Sequence, residues 1–432
     1  MTSGTKEGIP GFAVGKTVSL QLSCGDVVPV RWSQASLLEA QDAVLINGPG
    51  QLDVLQDLCR YPYVRALLDA DCLAYARQRR SVVRQWLAEG IYLFGAYKIG
   101  LKLARNAREA GIEVKGFLDN DPAKQGTCVD GVLVESPATV PLEGAVVLVT
   151  SGRYSNDIYN QLSPVPGIRL INMSEFLYAL NMQHITEPFA NFVEAPVHDR
   201  FRFISAFLRL GDERSRQVFD SLIGMRTDLS ITLAEKVKSP YAEEYFDPDF
   251  VCLEDVRRFV DAGAATGDTL QRLEGRFGPV EQAWLFEPEI PAYYEALRSY
   301  ADRPEVWIFN MGLDESPSRF PYQPWLSYDV TSERESVIPA SITSYIQGVP
   351  LDGVVVDRVG LFKLDIEGME GWALRGARGL IARDKPVIAV CAYHRASDYW
   401  ALIDEVLAIR PDYRVGIRLY ADILEDVTLY FY

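Results

Sequence analysis

The chain of 432 residues alternates between short apolar runs and segments of helical spacing in two separate regions. In the first region, the apolar run 90–95 precedes helical spacing that stops at Gly111, and a second apolar run, 112–119, follows. From about Tyr241 the same alternation returns and continues to the end of the chain. Strands that alternate with helices form parallel sheets covered by helices on both faces. The sequence therefore predicts an α/β protein with two Rossmann-like domains.

The alternation divides the chain into four predicted segments. They are an N-terminal extension of mixed strands and helix packed on the first domain (1–89), a Rossmann-like domain of the nucleotide-binding type (90–174), a helical connector (175–240) and a second α/β domain (241–432). The connector is rich in charged residues, which predicts a solvated face. Two alternating runs at the C-terminus, 413–420 and 427–432, are close enough to pair as an antiparallel hairpin.

The sharpest motif is the glycine turn VDAGAATGDT at 260–269. Gly263 and Gly267 directly follow a predicted strand, where glycine lets the backbone turn tightly and approach a ligand. The helix that follows offers free N–H groups to ligand oxygens. Ala265 stands where a dinucleotide fingerprint places the glycine that a pyrophosphate needs. The spacing therefore favours an adenosyl ligand with a methionine tail.

Two acidic residues end later predicted strands of the same domain. Glu287 lies 24 residues after Gly263, near the distance of about 20 residues at which an acid binds a ribose hydroxyl. Asp365 ends the fourth strand, at the edge where ligands bind in open α/β sheets. We therefore predict site roles for both. For Glu367 and Glu370 two alternatives stay open, a site role or a stabilising position at the start of the next helix.

With these motifs, residues 241–432 resemble the FkbM family of S-adenosylmethionine-dependent methyltransferases. The matching segments are YFDPDF (245–250), FVDAGAATGDT (259–269), LFEPE (285–289), LFKLDIEGMEGWALRGA (361–377), AYHRASDYW (392–400), IRPDY (409–413) and VTLYFY (427–432). The resemblance implies a class I methyltransferase fold, a seven-stranded sheet whose last strand is antiparallel. The stretch 341–353 departs from the family pattern, so no substrate contact is assigned to it.

The resemblance also implies a set of cofactor-binding residues. They are Asp261, Gly263, Ala264, Gly267, Asp268, Thr269, Glu287, Pro288, Met311 and Asp365. Asp261 and the glycine turn would line the methionine part, Glu287 the ribose, and Met311 with Gly312 the adenine. The implied reaction is O-methylation of a hydroxyl group on a sugar, glycan or related metabolite. The oligomeric state stays open, with a homodimer as one alternative.

His394 follows the fifth predicted strand, at the same edge as Asp365. Its ordinary pKa near 6.5 suits a base that removes a hydroxyl proton. We therefore predict His394 and Asp365 as catalytic residues, although a lone histidine is more often structural. A divalent metal held by Asp365 and Glu367 would lack a convincing third ligand, so no metal site is predicted.

The first α/β domain carries a degenerate glycine turn after its first strand. Tyr97 occupies the place of the middle glycine, and Asp119 stands 24 residues after Gly95. The stretch 116–137 resembles the nucleotide-sugar-binding domains of PglD-type sugar acetyltransferases. Three alternatives therefore stay open for this domain. It binds a nucleotide or nucleotide-sugar, it serves an NAD(P)-linked oxidoreductase, or it is a non-catalytic module, most simply a scaffold.

Composition limits the partners and the compartment. Lys and Arg number 43 against 59 Asp and Glu, a net charge of −16. Binding to nucleic acid or anionic lipid needs clustered positive charge, so neither partner is expected. No apolar stretch approaches 18 residues, and the N-terminus lacks the apolar core of a signal peptide. We therefore expect a cytoplasmic protein.

The six cysteines, Cys24, Cys59, Cys72, Cys128, Cys252 and Cys391, include no C-x-x-C pair. In a chain of this length they predict reduced, mostly buried thiols. Zinc ligation is not expected either, because His184 and His198 have no cysteine nearby and His394 is the only other histidine.

Overall fold

The computed structural model describes residues 13–32, 43–69, 71–182, 192–322 and 344–432. Residues 1–12 of the predicted extension, His184 and residues 341–343 lie outside the described residues. The described residues form four sheets, of three, six, seven and three strands, which combine parallel and antiparallel pairing and pack with helices. The predicted α/β class is thereby confirmed.

The N-terminal extension forms a three-stranded sheet followed by helices. Strand β1 (Thr17–Gln21) pairs antiparallel with β2 (Val27–Trp32), which pairs parallel with β3 (Val44–Ile46). The helices are α1 (Pro49–Gln56), α2 (Pro62–Ala66) and α3 (Ala74–Leu87), with a 3-10 turn at Leu58–Arg60. Val28, Val30 and Trp32 are buried at alternate positions of β2, because successive strand side chains point to opposite faces.

The prediction of reduced, mostly buried cysteines is wrong for most of them. Cys24, in the β1–β2 turn, and Cys59, in the 3-10 turn, are paired as a disulfide. Cys128 and Cys252 are exposed, and only Cys391 of the free thiols is buried. The disulfide partners are 35 residues apart, and it is the tertiary fold that brings them together.

The first α/β domain is built on a six-stranded sheet in the order β6-β7-β5-β4-β8-β9. Its strands are β4 (Ile91–Phe94), β5 (Val114–Leu118), β6 (Cys128–Val129), β7 (Val132–Glu135), β8 (Val146–Val149) and β9 (Arg169–Asn172). All neighbouring pairs are parallel except β6 with β7. The helices are α4 (Lys98–Glu109), α5 (Ser155–Leu162) and α6 (Met173–Leu180).

Four helices are present in the described residues 192–240, before the second α/β domain. They are α7 (Ala195–His198), α8 (Arg200–Leu208), α9 (Glu213–Thr227) and α10 (Thr232–Glu235), with a 3-10 turn at Tyr241–Glu243.

The second α/β domain contains a seven-stranded sheet in the order β12-β11-β10-β16-β17-β19-β18. Its strands are β10 (Arg258–Ala262), β11 (Gln282–Phe286), β12 (Val306–Phe309), β16 (Leu361–Leu364), β17 (Val387–Cys391), β18 (Val415–Leu419) and β19 (Val427–Phe431). Strand β19 runs antiparallel to both of its neighbours, and the other pairs are parallel. The predicted C-terminal hairpin is therefore present.

Helices and a small sheet complete this domain. The helices are α11 (Leu253–Val256), α12 (Asp268–Phe277), α13 (Ile290–Ser299), α14 (Glu370–Gly376), α15 (Arg378–Asp384) and α16 (Asp398–Ile409). The small sheet contains β13 (Gly312–Leu313), β14 (Ser318–Tyr322) and β15 (Ser344–Val349), and a 3-10 turn follows at Leu351–Gly353. In the described part of the chain, no helix has the length and apolarity needed to cross a membrane.

Helix α9 is buried between the N-terminal extension and the seven-stranded sheet. Its Ser215 hydroxyl accepts a hydrogen bond from the N–H of Ile417 at 3.0 Å. At its other end, Arg226 is 2% exposed and lies over the ring of Tyr399. Asp220 is also buried. The prediction of a solvated charged face is therefore wrong for Asp220 and Arg226, because neighbouring elements cover them, whereas Glu213 and Arg214 at the start of the helix are exposed as predicted.

Asp220 provides a pH-dependent test of this packing. Its carboxylate accepts the backbone N–H groups of Tyr63 and Val64 at 2.9 and 2.8 Å. Burial nevertheless raises the pKa of Asp220 to about 6. Because folding raises this pKa, the protonated carboxyl stabilises the folded state relative to the unfolded chain. This stabilisation is complete below the unfolded pKa and is lost as the pH rises through 6.

The variant Asp220→Asn keeps the accepting oxygen and removes the charge. We expect the variant to be more stable than the wild type by about 1–3 kcal/mol at pH 8. At pH 4 we expect the two proteins to have nearly the same stability. Thermal unfolding midpoints at both pH values measure this difference, with the exposed Asp53→Asn as the matched control. An equal effect at both pH values would contradict the expectation.

Candidate active site

The glycine turn lies between β10 and α12, and both glycines have left-handed backbone angles. Gly263 has φ +78°, and a Cβ there would lie 1.8 Å from the carbonyl oxygen of Asp365. Gly267 has φ +83°, and a Cβ there would lie 2.5 Å from the ring of Tyr300. Side chains rarely adopt these angles, and neither position has room for one. The glycines therefore let the chain pass close to β16 and begin α12 at Asp268.

Glu287 follows β11 and is held against this turn. Its Oε2 accepts the N–H of Ala265 at 2.8 Å, and its Oε1 accepts the N–H of Glu289 at 2.6 Å. The side-chain amide of Asn310 donates to the carbonyl oxygens of Glu287 and Pro288, each at 3.0 Å. The structure thus places Glu287 beside the glycine turn, while its ribose role stays a prediction. Asn310 was not among the predicted site residues.

Asp261 forms a buried ion pair with a residue that had no predicted role, Lys363. Lys363, in the centre of β16, places its Nζ 2.9 Å from Oδ1 of Asp261, and both side chains are almost completely buried. The same Nζ donates to the carbonyl oxygen of Gly263 at 2.6 Å. Burial lowers the pKa of Lys363, but Asp261 and Asp365 raise it by more, so the lysine stays charged. The sequence did contain one indication of a buried charge here, because a lysine stands within the apolar run LFKL.

Oδ1 of Asp261 pairs with Lys363, whereas Oδ2 has no hydrogen-bond partner among the described residues. Buried polar atoms are normally hydrogen-bonded, and a buried carboxylate that is not points to an absent donor. Asp261 lies at the end of β10, directly before the glycine turn. Asp261 can therefore accept a further hydrogen bond from a cationic donor beside the turn.

Asp365 ends β16 and is held by two tyrosines. The hydroxyl of Tyr245 donates to Oδ2 at 2.9 Å, and the hydroxyl of Tyr393 donates to Oδ1 at 3.4 Å. Burial raises the pKa of Asp365, but Lys363, His394 and the bond from Tyr245 lower it by more. Asp365 is therefore ionised. Tyr245 had no predicted role, although it lies in one of the segments that carry the family resemblance.

His394 lies among three carboxylates at the same sheet edge. Its Nδ1 is 2.9 Å from Oε1 of Glu370, and its Nε2 is 3.5 Å from both Asp365 and Glu367. Burial lowers the pKa of His394, but the carboxylates of Glu370, Asp365 and Glu367 outweigh it and raise the pKa to about 10. The imidazole is therefore charged at neutral pH. These surroundings do not support a base role, which stays a hypothesis.

The structure thus brings His394 and Asp365 together, as predicted. Glu370 joins them because its Oε1 accepts the N–H groups of Ile366 and Gly368 at 3.0 and 3.3 Å. The side chain of Glu370 lies inside the cluster and is also at the start of α14, so both alternatives for Glu370 stay open. The remaining predicted residues lie along the same edge. They are Ala264 and Thr269, both buried, Asp268 in the exposed first turn of α12, and Pro288 and Met311 after β11 and β12.

The first α/β domain meets this edge through one arginine. Arg153, in the loop after β8, is 3.7 Å from Asp426 and lies over the ring of Tyr241. Asp426 belongs to the turn between β18 and β19, and Asp422 of the same turn donates its N–H to Gly152 at 3.1 Å. Burial, with Asp426 and Asp365, raises the pKa of the neighbouring Glu244 to about 8. The two domains therefore share the wall of an acidic region.

The glycine turn of the first α/β domain is filled by its own contacts. A Cβ at Gly95 would lie 2.7 Å from Oγ1 of Thr150. Asp119 accepts the N–H of Ala96 at 3.0 Å, as Glu287 does in the second domain, but it also pairs with Lys124 at 3.0 Å. The turn therefore has a structural explanation, and nucleotide binding there stays a prediction.

A family model for the methyltransferase FkbM domain matches residues 261–414 of this chain. The chain is also similar to the crystal structure of a methyltransferase FkbM from Methylobacillus flagellatus KT. The two share 25% sequence identity with a TM-score of 0.69, over 88% of this chain and 100% of that one. An alignment of that extent includes the regions before residue 241 as well as the second α/β domain.

Two other solved structures align over a smaller part. An rRNA methylase from Streptococcus thermophilus is 14% identical, with a TM-score of 0.28, over 41% of this chain and 89% of that one. Fibrillarin from Aeropyrum pernix, in complex with S-adenosyl-L-methionine, is 11% identical, with a TM-score of 0.27, over 41% and 66%. Alignments at this level do not establish a relationship. No curated protein matches the chain significantly.

The family match includes the glycine turn, Glu287, Lys363, Asp365 and His394, and the similarity to the Methylobacillus protein extends over most of the chain. The chain therefore contains an FkbM methyltransferase domain at residues 261–414, and it is an enzyme that transfers methyl groups.

Proposed function

We propose that the protein is an S-adenosylmethionine-dependent O-methyltransferase that acts on a hydroxyl group of a sugar, glycan or related metabolite. The observation that carries the cofactor assignment is the buried Oδ2 of Asp261, beside the glycine turn, which has no hydrogen-bond partner among the described residues. The methionine part of the cofactor carries an ammonium group, and charge-assisted bonds to a carboxylate are strong. The residues present therefore fit the cofactor.

In this proposal the chain's own residues bind and orient. Asp261 and Gly263 to Thr269 hold the methionine part, Glu287 and Pro288 the ribose, and Met311 the adenine. When bound, the cofactor supplies a methyl group activated by a sulfonium. The catalytic residues are Asp365, fixed by its two tyrosines, and His394. Fixing the acceptor oxygen in the attacking geometry provides much of the acceleration in such a transfer.

The proposed class of acceptor is supported by the family resemblance and by the acidic region that the two α/β domains share. Glu244 and Asp426 are close enough to interact electrostatically with Asp365, and Arg153 and Arg272 are their cationic partners. Carboxylates and guanidinium groups together can hydrogen-bond the several hydroxyls of a polyol. A neutral, hydroxylated acceptor therefore fits this wall better than an anionic one.

The cofactor assignment predicts a thermal shift with S-adenosylhomocysteine. A ligand at a hundred times its Kd adds about 2.7 kcal/mol, which raises the unfolding midpoint by several degrees. We expect Asp261→Asn and Glu287→Gln to reduce the shift strongly, because each removes a carboxylate from the cofactor site. The matched control is Asp119→Asn, since Asp119 makes the same backbone contact in the other sheet.

NADH and a UDP-sugar serve as alternative ligands in the same experiment. A shift with either of these alone, lost in Asp119→Asn, would overturn the proposal and transfer the ligand site to the six-stranded sheet. No observation in the described residues favours that second function, because the Asp119 carboxylate is already engaged by Lys124.

A further inference from the structure

We propose that Asp365, Glu370 and His394 form a binding site for a divalent metal ion beside the cofactor site. Two carboxylate oxygens and one imidazole nitrogen of these residues all lie within 4.8 Å of one another. They come from three different elements, the end of β16, the start of α14 and the residues after β17. The sequence suggested only Asp365 and Glu367 for this purpose, and the fold supplies the third ligand.

The spacing agrees with coordination of one ion. Neighbouring ligands in an octahedral site lie roughly 3 Å apart when each is about 2.1 Å from the metal. His394 lies 2.9 Å from Glu370 through Nδ1 and 3.5 Å from Asp365 through Nε2. Only one of these two nitrogens can bind the ion, so the ring has to turn until that nitrogen faces both carboxylates, within the 4.8 Å that encloses the three ligand atoms.

The two carboxylates are already oriented by outer contacts. Asp365 accepts the hydroxyl groups of Tyr245 and Tyr393, and Glu370 accepts two backbone N–H groups. Metal-ligating side chains are usually held in this manner, by second contacts that fix the direction of the free lone pairs. Each carboxylate keeps lone pairs for a further partner.

The imidazole supplies an independent observation. His394 is 3% exposed, yet neither ring nitrogen makes an aligned hydrogen bond among the described residues. The approach of Glu370 to Nδ1 is close but misaligned for hydrogen bonding. A buried imidazole normally has such a partner, and a metal ion would provide it.

The donor set indicates the kind of ion. Carboxylates suit Mg²⁺ and Mn²⁺, whereas imidazole suits the transition metals. Two carboxylates with one imidazole therefore favour Mn²⁺ or Zn²⁺ over Ca²⁺. Resting on the function proposed above, the ion would take the acceptor hydroxyl as a further ligand and lower its pKa. The hydroxyl proton would leave to solvent at this edge of the site, where Glu367 is exposed.

Mn²⁺ alone is the probe, added to the metal-stripped full chain without cofactor or acceptor. Electron paramagnetic resonance measures the bound fraction, and we expect one Mn²⁺ per chain. Spin-echo modulation from a coordinated ¹⁴N should appear in the wild type, so this result does not depend on a variant folding. We expect Asp365→Asn and His394→Gln to weaken binding at least tenfold. The matched control, His198→Gln, changes an exposed histidine and should bind as the wild type does.

Absence of stoichiometric binding, or binding without nitrogen modulation, would overturn the metal site. Unchanged affinity in a folded His394→Gln would do the same. Failure of the proposed function looks different. In that case Mn²⁺ binds with nitrogen modulation, while S-adenosylhomocysteine gives no thermal shift.

Discussion

Lys363→Met is expected to destabilise the protein by about 3–5 kcal/mol, because it leaves Asp261 as an uncompensated buried charge. The variant also removes the donor to the carbonyl oxygen of Gly263, which holds the glycine turn. Both effects act where the cofactor is proposed to bind. We therefore expect a much lower unfolding midpoint and loss of the thermal shift with S-adenosylhomocysteine. Thermal unfolding with and without the ligand measures both results.

The double variant Asp261→Asn with Lys363→Met separates the two effects. Removing both charges should recover much of the stability, since neutral pairs often replace buried ion pairs without loss. Ligand binding should not recover, because the carboxylate is absent. Lys236→Met, at an exposed position, is the matched control. A stable Lys363→Met variant with a normal thermal shift would refute the role given to this ion pair.

The glycine turn and Glu287 could be predicted because their positions follow from local geometry. A strand, a glycine turn and a helix recur in a fixed order, and the next strand ends at the same edge. The order of these elements predicts that Asp261, Glu287, Asp365 and His394 lie on one side of the sheet. Predicting that these residues lie near one another therefore required only the order of the strands.

The partners of those residues could not be predicted in the same way. Tyr245 reaches Asp365 across 120 residues, and nothing in its own surroundings along the chain indicates the contact. Lys363 is different, because a lysine within an apolar strand needs a buried anion. The sequence contained that signal, but its partner Asp261 had to be identified from the pairing of β10 with β16.

The burial of α9 shows a second limit of sequence patterns. Amphipathic spacing indicates that a helix has an apolar face, but not whether another domain covers its polar face. Asp220 and Arg226 are buried because they contact the N-terminal extension and α16, which adjoin opposite ends of this helix. Likewise, Arg153 contacts Asp426 between the two domains, and no pattern in either sequence segment predicts this contact.

His394→Gln is expected to lower turnover by at least about tenfold, because it removes the charged imidazole from the carboxylate cluster and one ligand of the proposed ion. Glutamine retains hydrogen-bonding capacity but cannot carry the proton or the charge of the imidazole. The thermal shift with S-adenosylhomocysteine should stay unchanged, because His394 is not among the residues proposed to hold the cofactor. Turnover is measured as S-adenosylhomocysteine release with the best acceptor from a panel of sugars and glycans.

The pH profile distinguishes the possible roles of this histidine. With a pKa raised to about 10, His394 would be a free base only in alkaline solution, so a base role predicts turnover that rises towards pH 10. A metal ligand is deprotonated by the ion it binds, so that role predicts high turnover near neutral pH and loss of activity with a chelator. His198→Gln should leave either profile intact. Turnover that is unchanged in His394→Gln would exclude the residue from the reaction, and Asp365 would then be the only catalytic candidate of the two.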